Sequence, residues 1–132
     1  MRRLTLLLAL VALSVPLAAC GGSESEATTL SFDGLDTFTF DPDTASANAE
    51  GLVEVTLNNE GALEHTWTLV SADVDLATAR DADALAGVTT GAVPPGESKT
   101  ISFTAPAAGT YQYVCTIPGH APAGMVGTMT FN

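Results

Sequence analysis

The chemistry in this sequence is concentrated in a short run near its end, Cys115-Thr116-Ile117-Pro118-Gly119-His120-Ala121-Pro122-Ala123-Gly124-Met125. A thiol, an imidazole and a thioether share one loop there, with four residues in each gap. The only other histidine, His65, opens the stretch His65-Thr66-Trp67-Thr68-Leu69. A structural zinc site wants four strong ligands, and a thioether is a poor one; a catalytic zinc site keeps a position open for water. Two imidazoles and a thiolate with a weak thioether suit copper better. Soft sulfur stabilises Cu(I), and the imidazoles hold Cu(II). Taken singly, the same residues have plainer uses, as a packed histidine, an inert buried cysteine and a gap-filling methionine.

Cys115 has one companion, Cys20, and Cys20 ends a different kind of segment. Arg2 and Arg3 precede a nearly continuous apolar run from Leu4 to Leu17, too short for a comfortable membrane span and followed by small residues. Leu17-Ala18-Ala19-Cys20 resembles the lipobox of bacterial lipoproteins, in which the chain is cut before the cysteine and its sulfur takes a diacylglycerol group. The expected organisation is a signal peptide over 1–19, a lipidated Cys20 with a flexible polar tether over 20–29, and one folded domain over 30–132. That places the protein on the outer face of a cell membrane and leaves Cys115 as a lone thiol in an oxidising compartment. A bound metal would protect it. Arg80 and Lys99 would then face all fifteen acidic residues, a formal charge of −13. Such a surface repels nucleic acid and favours basic protein partners, or simply keeps an exported domain soluble.

The ligating side chains need elements to hold them, and the apolar pattern supplies strands. Val53, Val55 and Leu57 share one face; Trp67 with Leu69, Ile101 with Phe103, and Met129 with Phe131 repeat the period of two, as do Tyr111, Tyr113 and Cys115. Pro, Gly, Asn and Asp clusters separate the runs. The reading is all-β: short antiparallel strands in a Greek-key, two-sheet sandwich. Residues 72–86 are alanine-rich with a weak apolar face, which suits one short helix or a loop, and Asp73, Asp75, Asp81 and Asp83 put an acidic patch on it.

With the loop, His65 and the lead-in Gly109-Thr110-Tyr111-Gln112-Tyr113-Val114-Cys115 together, residues 30–132 resemble the cupredoxins. The gaps look most like the auracyanin and azurin-like branch. The resemblance implies one copper, cycling between Cu(I) and Cu(II), held by His65, Cys115 and His120 with Met125 as a distant axial ligand. Two positions depart from the family. Thr66 stands where many members carry an asparagine that braces the ligand loop, so the hydroxyls of Thr66 or Thr116 would share that work. Glu64 replaces the azurin glycine whose carbonyl approaches copper, so a site nearer four-coordinate is expected.

The function implied is single-electron transfer by a monomer, with no catalysis, since no histidines remain for a catalytic copper. The ring edge of His120 would emerge among Ile117, Pro118, Ala121, Pro122 and Ala123, giving an apolar docking surface for a redox partner such as a c-type cytochrome or an oxidase. The alternative is a lipoprotein that stores or delivers copper. It fits the ligand types, but such proteins add Met and His clusters that this chain lacks.

Overall fold

Alternating apolar residues require sheets with one face turned inward, and eight strands provide them in the computed structural model, which describes residues 26–132. The expected signal peptide (1–19), Cys20 and the first part of the tether lie outside the described residues. The strands are β1 (Thr28–Leu35), β2 (Thr39–Asp41), β3 (Thr44–Ala47), β4 (Leu52–Asn59), β5 (Thr68–Val70), β6 (Ser98–Thr104), β7 (Gly109–Val114) and β8 (Val126–Phe131). One sheet runs β2-β1-β4-β6 and the other β3-β8-β7-β5. This is the expected all-β two-sheet sandwich. The first strand takes in Thr28 and Thr29, placed in the tether by composition, because they pair with Val53 and Glu54 of β4.

The sheets are mixed rather than antiparallel throughout. β1 lies parallel to β4, and β3 parallel to β8. A period of two is common to both pairings, so the sequence could not separate them. The direction follows from the connections. From β2 to β7 the chain changes sheet at every step, and a strand that arrives from the other sheet is free of the antiparallel constraint a hairpin imposes.

Two further expectations are corrected. Residues 72–86 hold no α-helix; Asp81–Asp83 and Leu85–Gly87 form single 3-10 turns, neither with a buried residue. Without an apolar face to bury, alanine content alone does not sustain a helix. The stretch His65–Val70 also has no exposed face, all six residues being buried. The chain returning from the 72–86 excursion covers its outer side, through bridges from His65 to Val93 and from Thr68 to Thr89.

Between the sheets an aromatic cluster fixes how they stack. Phe32 of β1 meets Trp67 at 5.5 Å and Tyr113 of β7 at 4.9 Å, and the Trp67 and Tyr113 rings stack at 5.4 Å. Such offset contacts add to the area term that dominates burial. Tyr113 lies across Gly127 of β8, where any Cβ would collide with its ring, and its hydroxyl donates to the Pro42 carbonyl at 2.8 Å. The cluster adjoins Cys115 and His65 along the chain, so core packing and ligand placement are one problem.

Candidate metal centre

Each side chain expected to ligate metal is delivered by a different part of this frame. Cys115 directly follows β7, and Met125 directly precedes β8. The two close the loop between them, because the Cys115 N–H donates to the Met125 carbonyl at 3.0 Å. Inside the loop the His120 carbonyl accepts the N–H groups of Ala123 at 3.1 Å and Met125 at 3.0 Å, while the His120 N–H donates to Ile117. Gly119, at φ +89, makes the reversal that a side chain would strain. His65 comes from the second sheet's approach to β5, pinned to Val93 by paired backbone hydrogen bonds of 3.3 and 2.8 Å.

The ligand atoms of His65, Cys115 and His120 lie within 4.8 Å of one another, the one such cluster among the described residues. The Cys115 sulfur is 3.4 Å from Nδ1 of His120, and the two imidazole centroids are 5.1 Å apart. His65, Cys115 and Met125 are fully buried, and His120 keeps 7% of its surface. Neither ring nitrogen of His65 makes a hydrogen bond. A buried imidazole nitrogen without a partner costs roughly 1–3 kcal/mol, and coordination to a metal removes that cost for the nitrogen that binds it. The donor set of two imidazoles, a thiol and a thioether fits copper.

Electrostatics prepare the site for a cation without charging it beforehand. Burial, then the charge of His120, holds His65 below the ordinary imidazole value; burial holds His120 down as well. Burial pushes the Cys115 thiol up, against backbone N–H groups of Thr66 and Ile117 that favour the thiolate. Binding a metal therefore displaces a proton from Cys115 at neutral pH.

The brace expected from Thr66 is present. Its N–H points at the Cys115 sulfur at 3.4 Å, and its Oγ1 accepts the Thr116 N–H at 2.7 Å. The Thr116 hydroxyl donates to Asp81, so the Thr66 hydroxyl, 2.8 Å from Thr116 Oγ1, donates along the same line. Two threonines and an aspartate thus replace one asparagine, and they tie the 72–86 excursion to the ligand loop. Thr66→Val leaves the Thr116 N–H unpaired and is expected to cost about 1–3 kcal/mol, with Thr66→Ser close to unmodified; thermal melts of both decide it. Of the four acidic residues in the excursion, Asp81 serves this brace, and Asp73, Asp75 and Asp83 bond locally to Ser71, Ala77 and Arg80.

Three residues at the site escaped the sequence reading. Asp81 is one. Phe38, in the turn after β1, packs its tilted ring against His120 at 4.8 Å, and Asp36 stands 3.5 Å from Nε2 of His65. No local signal marks them, since Asp36 and Phe38 reach the centre only through the pairing of β1 with β2 and β4, and Asp81 only where the 72–86 excursion folds back onto Thr116. Of the expected docking residues, Ile117 and Ala121 are half-buried, and Pro118 and Pro122 are exposed.

A family model for copper binding proteins, the plastocyanin/azurin family, matches residues 26–132. Auracyanin-A of Chloroflexus aurantiacus is 31% identical over 158 aligned positions, covering 98% of this chain and 97% of that one. Auracyanin-B of the same organism is 42% identical over 91, covering 58% of this chain and 38% of its own length. The structure of dithionite-reduced auracyanin from the photosynthetic bacterium Roseiflexus castenholzii superposes with a TM-score of 0.70 at 30% identity, over 80% of this chain and 98% of that one.

Proposed function

Since the chain belongs to the plastocyanin/azurin family of copper-binding proteins, we propose that it carries single electrons at a membrane surface. It is a type 1 copper protein with one site, His65, Cys115, His120 and Met125. When bound, copper supplies a one-electron Cu(II)/Cu(I) couple. What the protein contributes is rigidity. One observation carries the reading: all four ligands are buried and already tied by backbone hydrogen bonds, three of them on one closed loop. Ligands held this firmly need not rearrange when the metal changes charge, which keeps transfer fast. A site built to release copper would gain nothing from such closure.

His120 is the exit. Its exposed edge sits on the loop with Ile117, Pro118, Ala121, Pro122 and Ala123, an apolar surface suited to brief contact with a redox protein such as a c-type cytochrome or an oxidase domain. The acidic surface would steer a basic partner toward it. Lipid on Cys20 would hold the protein on the outer face of the membrane, as a monomer on a short tether.

Titration with Cu(II) tests the reading. An intense blue band with narrow copper splitting in EPR, bleached reversibly by ascorbate, is the expected result; a colourless protein that binds only Cu(I) would instead indicate storage or delivery. Steering has its own test. The second-order rate of electron exchange with a basic c-type cytochrome should fall about tenfold or more from low to high ionic strength. A rate insensitive to salt would remove the acidic surface from the account.

A further inference from the structure

The strand pairing that builds the first sheet also builds a carboxylate contact behind one ligand. β1 and β4 are parallel neighbours with Gly34 opposite Asn59, so the turns that follow them emerge at the same end of the sheet. Asp36 lies in the first turn. Its Oδ2 accepts the Ala62 N–H at 2.8 Å and its Oδ1 the Leu63 N–H at 3.2 Å, which ties it to the second turn. That fixed Oδ1 stands 3.5 Å from Nε2 of His65, an imidazole whose ring nitrogens make no hydrogen bond.

The space for this arrangement is made by glycine. A Cβ at Gly61 would collide with the Asp36 carboxylate and stand 3.1 Å from Nε2 of His65; one at Gly34 would come within 3.2 Å of the ring's Cδ2. Ring and carboxylate share a slot that neither position could line with a side chain. From this geometry we infer that Asp36 is a positioning residue for the copper, acting through His65 to orient the ring and hold the reduction potential down. A carboxylate at Nε2 selects the tautomer protonated there and leaves the Nδ1 lone pair for the metal. It makes the imidazole a stronger donor, and its negative charge favours the higher charge of Cu(II) over Cu(I). The Asp36 side chain is 42% exposed, so water and salt screen this charge.

The inference rests on the type 1 copper reading, and voltammetry of the copper-loaded protein separates the two. Asp36→Asn keeps one acceptor oxygen, which can face Leu63 N–H and Nε2, loses the acceptor that Ala62 N–H uses, and removes the charge. Gly61→Ala leaves Asp36 intact and evicts its carboxylate. Both variants should stay blue, and both should weaken the preference for Cu(II) over Cu(I) about tenfold at low ionic strength, a positive shift of roughly 59 mV. The shift should shrink as salt is added. A blue Asp36→Asn protein with the potential of the unmodified one overturns the inference and leaves the copper site standing. If Asp36→Asn does not fold, Gly61→Ala decides by the same criterion. An unmodified protein without a blue band removes both.

Discussion

Cys115→Ser is expected to fold and to be colourless. The blue band of a type 1 site arises from charge transfer between a thiolate and Cu(II), and Cys115 offers the only thiol among the clustered ligand atoms. A serine hydroxyl is a hard, neutral donor that does not ionise at neutral pH, so the centre loses its one anionic ligand. Removing groups that merely support a metal ligand costs about 10–100-fold in affinity, and removing the thiolate should cost more. Serine nonetheless fits the fold. It can accept the Thr66 N–H and sit beside Nδ1 of His120, as the buried sulfur does at 3.4 Å from each. The copper-free variant should therefore melt close to the copper-free unmodified protein. The difference appears on adding copper, which stabilises only a state that binds it. Absorption, EPR and paired melts check this. A blue Cys115→Ser protein would require another thiolate, and Cys20 is the only other cysteine in the chain.

Trp67→Ala should remove a large share of the stability of the domain. Trp67 is fully buried, stacked on Tyr113 and flanked by Phe32 and by Phe103 at 6.4 Å. Truncating a tryptophan in such a place costs about 3–5 kcal/mol, against total stabilities of roughly 5–15 kcal/mol for domains of this size. The effect reaches the copper, because Trp67 lies two residues from His65 and next to Thr66, whose N–H and hydroxyl set the sulfur and the loop. Its indole Nε1 is buried without a partner. Trp67→Phe discards that unpaired donor and keeps ring contacts with Phe32 and Tyr113, so it should cost much less than alanine. Denaturant midpoints at constant slope for both variants measure the difference. Equal losses would mean that the pocket responds to volume alone.

The ligand set was legible in the sequence because it is mostly local. Cys115, His120 and Met125 fall on one loop, and with two histidines in the chain the fourth member was His65. The alternation of Val53, Val55 and Leu57 likewise declared a sheet, since period two is a property of the strand itself. Alanine-rich residues 72–86 left a short helix and a loop both open, and the loop with two 3-10 turns prevails because composition without an apolar face provides nothing to bury. The surroundings of the metal could not be read in this way. Asp36, Phe38 and Asp81 are far from the loop along the chain and meet it only where the sheets pair and the excursion folds back. Whether β1 runs parallel to β4 decides where Asp36 arrives, and a period of two is blind to direction. The chain by itself determined which residues supply the metal's ligands. Only the tertiary structure decided which charges and rings stand behind them, because those contacts depend on strand pairing and not on spacing.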